Sequence, residues 1–242
     1  MYKILLVEDD RAIAGAIARQ LLAAQGIEIA AHIAAIGGVQ DERLDPVHVD
    51  AQTLRALRER RFPLLNPEKE APMREAVEIA RMAQDSVGGI IECAATGVRA
   101  GIGSPYFGSV ESVTSQLLFS VPAVKAIEFG DGFAFPGMTG SQANDPMTYE
   151  DGRVVTLTNH NGGITGGITN GMPILLRAAI KPTPSIARAQ HTVDLSTGAD
   201  TTLSITGRHD PCIVPRAVVV IESALAIALC ELWMDDAATH AL

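Results

Sequence analysis

Residues 162–185 read GGITGGITNGMPILLRAAIKPTPS, and the order of textures within them decides how the chain is read. Five glycines fall in ten residues: Gly162, Gly163, Gly166, Gly167 and Gly171. Glycine permits positive φ and lets backbone N–H groups approach a ligand closely, so this density points to a binding loop or to a pair of tight turns. The loop is neither a Walker A motif, since no Gly-Lys-Ser/Thr follows, nor a dinucleotide fingerprint, since no strand–GxGxxG–helix context surrounds it. Ile174–Ile180 then reads as a buried strand. Lys181-Pro182-Thr183-Pro184-Ser185 closes the stretch, two prolines stiffening an extended loop that presents Lys181, Thr183 and Ser185 as donors or simply connects a sheet edge.

Downstream lies a third unusual loop, Gly207-Arg208-His209-Asp210-Pro211-Cys212. An arginine fork there can grip an anion and Asp210 can take part in proton transfer. A surface turn with a local ion pair is the plainer alternative. Residues 216–233 follow as a helix apolar nearly all round, the pattern of a helix buried between layers. Its run Ala217–Leu229 is too short for a bilayer span and Glu222 interrupts it.

Upstream, residues 3–7 (KILLV) read as a strand. Residues 11–25 read as a helix in which Ile13, Ile17 and Leu21 recur, closed by Gly26. Strands are expected at 27–36, Ile90–Ala95, Ala123–Phe129, Thr192–Leu195 and Thr202–Ile205. Helices are expected at 50–60, from Pro72 to Ser86, and over 110–119 behind a Ser109 cap with Val110, Val113 and Leu117 inward. Helices and strands do not alternate as βα units, which favours α+β over a doubly wound sheet.

The 242 residues carry 47% hydrophobic and 19% charged side chains, the balance of a folded, core-rich chain. A net charge of −9 argues against a nucleic-acid footprint, so an anionic ligand requires a local cationic pocket in an acidic body. Cys93, Cys212 and Cys230 are odd in number and widely spaced, without a CxxC pair, and support neither a zinc site nor a disulfide framework. With no signal-peptide pattern or membrane span in view, a cytoplasmic protein is expected.

Taken in order, GGITGGITNG, KPTPS, GRHDPC and VPRAVVVIESALAIAL resemble the signature segments of chorismate synthases. GVRAGIGSPYF, FSVPAVKAIEFGDGF and GIEIAAHIAAIGGV resemble the same family, and the likeness runs from about Arg11 to Glu231. The resemblance implies a single α+β domain over 1–242, a β-α-β sandwich with antiparallel sheets packed around a helical layer. It also implies a lyase of aromatic amino acid biosynthesis, the last step of the shikimate pathway, that eliminates phosphate from 5-enolpyruvylshikimate 3-phosphate to give chorismate. Reduced FMN is the implied cofactor, with NADP as an associated nucleotide, and a homotetramer the implied assembly. Carried onto this sequence, the flavin contacts fall on Pro122, Ala123, Gly166, Lys181, Pro182, Thr183, Pro184, Ser185 and Arg208. Asp210 takes the place of the proposed base, and no metal is implied. Pro122 stands where an asparagine or glutamine is common in the family.

The front departs from the family. Residues 1–10 (MYKILLVEDD) look like a non-family leader resembling the first strand of a response-regulator receiver, for which Asp50 is the nearest candidate phospho-acceptor. The family's N-terminal third, with its two histidine motifs and arginine-rich stretches, has no counterpart here, and His32, His48, His160, His191, His209 and His240 stand elsewhere. Two readings follow: a chorismate synthase that is at least roughly 10⁴-fold impaired as an isolated chain, or a non-catalytic remnant that binds flavin or oligomerises.

Overall fold

The computed structural model describes residues 11–207 and 209–240. In chain order its elements are α1 (Arg11–Ala23), β1 (Glu28–Ile36), β2 (Val39–Gln40), α2 (Ala51–Arg58), α3 (Glu70–Met82), β3 (Gly89–Thr96), α4 (Val110–Phe119), β4 (Val124–Phe129), α5 (Gly140–Ala143), β5 (Met147–Glu150), β6 (Arg153–Thr156), β7 (Ile164–Thr165), β8 (Ile168–Thr169), β9 (Ile174–Ile180), β10 (Gln190–Asp194), β11 (Ala199–Leu203) and α6 (Val214–His240). The strand and receiver-like reading of residues 1–10 lies outside the described residues.

A five-stranded antiparallel sheet, ordered β2-β1-β3-β9-β4, is the framework. The remaining strands pair as two-stranded ribbons, β5 with β6, β7 with β8, and β10 with β11. Side chains alternate across each strand. Ile29, Ile33, Ile91, Cys93, Ile174 and Leu176 therefore share one core with Ile221, Leu225 and Leu229 of α6. Ala30, Ala94 and Leu175 face the other way, into a smaller core with Leu44, Val49, Leu54 and Leu57. The α+β architecture is the one expected, an antiparallel sheet laid on a helical layer of α1, α4 and α6.

The helical layer centres on α6, which starts earlier and ends later than the apolar run suggests. It is long and apolar enough to cross a bilayer by length and composition, yet most of that stretch is buried within the protein. Leu225 and Leu229 are fully covered and Trp233 is half-buried, as a core helix requires.

α1 forms where the recurrence of Ile13, Ile17 and Leu21 indicates a helix, but Ile17 and Leu21 do not line the core. Those residues are 54% and 48% exposed, while Ala14, Ala18 and Leu22 are buried. The cause is close approach to α6. A Cβ added to Gly15 would stand 2.1 Å from the Ser223 Cβ, so the helices meet along their smallest residues and large side chains are turned outward. α3 also begins two residues before Pro72, behind a short 3-10 turn at Pro67–Lys69 capped by the Asn66 side chain, and it ends at Met82. Asp50, the receiver candidate, caps α2 by accepting from the Thr53 N–H at 2.7 Å.

The second face of the sheet carries charge. His32 of β1 is opposite Glu92 of β3, Glu92 is opposite Arg177 of β9, and Arg177 is opposite Glu128 of β4. His32 is fully buried, with Nε2 2.9 Å from Glu92 and Nδ1 3.3 Å from Asp41. Glu92 accepts from the Leu44 N–H, and Asp41 accepts from the Leu65 and Asn66 N–H groups. The trio therefore fastens the excursion over residues 41–66 onto the sheet. Burial opposes charge on the imidazole, but hydrogen bonds and charge from Asp41 and Glu92 prevail and raise its pKa. Both carboxyls, despite their own burial, are held below their ordinary values by His32 and the backbone donors.

Two outcomes are expected. Gly15→Ala should lower unfolding free energy by about 1–3 kcal/mol in urea titration, because an overpacked contact must open. An unchanged midpoint would show that α1 and α6 are not in contact. For His32, the raised folded pKa means its contribution is full below about pH 6.5 and is lost as pH climbs through the folded value. His32→Ala should cost about 3–5 kcal/mol at pH 6 by stranding Asp41 and Glu92. Its deficit should shrink toward alkaline pH; a deficit constant from pH 6 to 9 would contradict a charged His32.

Candidate functional site

Pro122-Ala123 and Lys181–Ser185 meet at the end of β9. The Lys181 N–H donates to the Ala123 carbonyl at 2.9 Å, which seats Pro122-Ala123, just before β4, beside the start of the proline loop. Ala123 holds φ +74°, a left-handed conformation unusual for a residue with a Cβ. Pro122 and Pro184 are exposed, and Lys181, Thr183 and Ser185 half-buried.

A second junction joins this loop to the Asp210 loop. The Ser86 hydroxyl donates to the Thr183 carbonyl at 2.7 Å, while the next residue, Val87, donates its N–H to the Pro211 carbonyl at 2.8 Å. Two consecutive residues between α3 and β3 thus hold the two loops side by side. Ser185, Asp210 and His209 share the wall of a cavity of about 150 Å³ with Asp85 and Arg81. Asp210 makes an ion pair with Arg216 in the first turns of α6, and His209 Nε2 lies 3.2 Å from the Ile205 carbonyl. Arg208 lies outside the described residues.

The glycine loop stands elsewhere. It occupies the other end of β9, about 20 Å away by the rise of seven residues along a strand. There β7 and β8 form a small ribbon whose Ile168 bridges Gly103. The Gly167 carbonyl accepts from the Val110 N–H at the head of α4, and the Thr169 hydroxyl ties Ile102 to Arg99. Gly163 and Gly167 sit where a Cβ would meet backbone or Ser109, so much of the glycine density is explained by packing. Gly166 differs. At φ +63° nothing lies within 4 Å of its would-be Cβ, and its backbone is open. Neither Gly166 nor Lys181 lines the cavity that Ser185 and Asp210 share.

The residues present at the β9 end supply donors that suit an anionic group. The Lys181 side chain has no ion-pair or hydrogen-bond partner among the described residues. The Thr183 Oγ1 is buried without one. A cation and a hydroxyl left unsatisfied in one stiff loop are donors awaiting an acceptor.

Sequence reasoning missed a further polar set on the charged sheet face. His160 Nδ1 lies 2.6 Å from Asp131, and Asp145 gathers the N–H groups of His160 and Asn161 together with the Thr158 hydroxyl. Those three bonds, with a fourth from the Asn161 amide, hold Asp145 below its ordinary pKa despite its burial. Arg177 pairs with Glu128 on the same face. The segment Thr156–Asn161 carried a visible signal, TNHN before the glycines, but its partners lie in distant loops.

Comparison with known proteins identifies the family. The family model described as chorismate synthase matches residues 9–234. Among curated relatives, the chorismate synthase of Methanocella arvoryzae is 46% identical over 228 residues, covering 91% of this chain and 58% of the relative. That of Korarchaeum cryptofilum is 46% identical over 220 residues, covering 90% and 59%. A solved structure titled "Crystal Structure of Chorismate Synthase" superposes with a TM-score of 0.76 at 28% identity, over 93% of this chain and 62% of that one. The chain spans about three-fifths of the length of these relatives. With the family match running through both junctions of the site, the chain belongs to the chorismate synthase family.

Proposed function

We propose that this chain forms the flavin-contacting and proton-transfer part of a chorismate synthase, acting on 5-enolpyruvylshikimate 3-phosphate. The observation that carries this reading is the double junction at Ser86-Val87, which sets the Lys181–Ser185 loop against the Asp210 loop. Family membership supplies the reaction class, a 1,4-elimination in which a ring proton and a phosphate are lost. Reduced FMN, when bound, supplies the electron chemistry of that elimination without net redox change.

Each of the chain's own groups then has a task. Lys181 and the Thr183 hydroxyl bind anionic or acceptor groups of the flavin, and the prolines on either side keep them from collapsing into the loop. Asp210 is placed to take a proton. It pairs with Arg216 of α6. Arg208, the residue before His209 in sequence, supplies a fork of donors in the family-based reading. Gly166 offers open backbone N–H at the far end of β9, and a homotetramer in the cytoplasm completes the family-based reading.

Anaerobic assay of chorismate formation with excess reduced FMN tests it, alongside flavin binding by fluorescence. Asp210→Ala should lower turnover about 10²–10⁴-fold relative to the parent chain while leaving flavin affinity within a few-fold. Lys181→Ala should weaken flavin binding. Full turnover in Asp210→Ala would remove Asp210 from proton transfer. A parent chain that neither binds reduced FMN nor forms chorismate would overturn the reading as a whole.

A further inference from the structure

A separate cavity shares no lining residue with the one at Asp210. It opens at the outer edge of β1, between α1, the end of α2 and the first turns of α6, and encloses about 330 Å³. Arg19, Arg58, Arg60 and Arg61 line it, with Glu222 the acidic residue on the wall. In a chain of net charge −9, four of the nineteen lysines and arginines meet in one cleft.

The charges do not cancel. Arg19 is paired with Glu222, whose other oxygen accepts from the Ala31 N–H at 3.3 Å. Arg58 and its neighbour Arg55 share Glu28, at 2.8 and 2.7 Å. Five guanidinium groups thus face two carboxylates, a surplus of three positive charges. Arg60 donates to the Leu64 carbonyl and meets no carboxylate among the described residues. Arg61 is exposed and has no hydrogen-bond or ion-pair partner among them. Opposite this cationic rim the wall is apolar: Pro63, Pro215, Val218 and Val219. Val219 is 47% exposed, an apolar surface left open beside the charges.

We propose that this cleft is a binding site for a small organic phosphomonoester. Its volume is at the lower end of the range for small-molecule pockets, which suits a body of one ring rather than a dinucleotide. A carboxylate is satisfied by a single arginine fork. A phosphate dianion has three oxygens to share, and two guanidinium groups without carboxylate partners match it better. The apolar wall takes the carbon skeleton. The site is independent of Asp210 and Lys181, so it neither needs nor restates the proposed reaction.

The test uses titration calorimetry of the whole chain with phenyl phosphate, inorganic phosphate and benzoate as probes. Phenyl phosphate should bind, inorganic phosphate more weakly for want of the wall, and benzoate about tenfold or more weaker still. Arg60→Ala with Arg61→Ala should weaken phenyl phosphate about tenfold or more, and Arg61→Glu alone should do likewise without touching the Arg60–Leu64 contact. Arg153→Ala, an exposed arginine on β6, should change nothing. Benzoate binding as tightly as phenyl phosphate would overturn the phosphate assignment. Equal affinity in Arg61→Glu and the parent, or no binding of phenyl phosphate at millimolar concentration, would overturn the site.

Discussion

Glu222 sits in the middle of the most apolar helix of the molecule, and its carboxylate meets Arg19 of α1 and the Ala31 N–H at the edge of β1. α6 is covered on nearly every side, so a charge there persists only with partners that satisfy it. Burial pushes the Glu222 pKa up, and the arginine and backbone donors oppose that push. One side chain thus fixes three things together: the rotation of α6 about its axis, the position of α1, and the capping of an otherwise open strand edge. α1 can come that close because Gly15 and the alanines present so little bulk.

The sheet separates two kinds of chemistry. Its face toward α6 is dry and apolar, built from Ile29, Ile33, Ile91, Ile174 and Leu176. Its other face carries the row His32, Glu92, Arg177 and Glu128 in cross-strand register. On a half-polar face, such rows fix register as firmly as apolar packing does, because a one-residue slip would carry four ionisable groups into the apolar core. The long excursion over residues 41–66 packs Leu44, Val49, Leu54 and Leu57 onto this face and is tied down as well through Asp41 and Glu92.

Much of this was legible in the sequence. Ser109 caps α4 by accepting from the Ser112 N–H, and α4 runs over Val110–Phe119 as its signals indicate. β9 coincides with the apolar run Ile174–Ile180, and α6 with the all-apolar helix. The three special loops were visible through their glycines and prolines. The buried face of α1 was not, since a four-residue spacing of large apolar residues cannot tell a core stripe from an outward one when small residues offer the closer packing. The charge row was hidden for another reason. His32, Glu92, Arg177 and Glu128 lie far apart in sequence, and only strand pairing brings them into line. The distance between the glycine loop and Lys181 likewise belongs to topology, which local motifs do not encode.

The double contact at Ser86 and Val87 has a thermodynamic side. Because adjacent residues grip the Thr183 and Pro211 carbonyls, the proline loop and the Asp210 loop share part of one ordering entropy. A ligand that immobilises either loop leaves less freedom to be lost at the other. Occupancy of the two loops is therefore linked, and linkage runs equally in both directions. Two ligands, one at each loop, would favour one another's binding without any large movement of the chain.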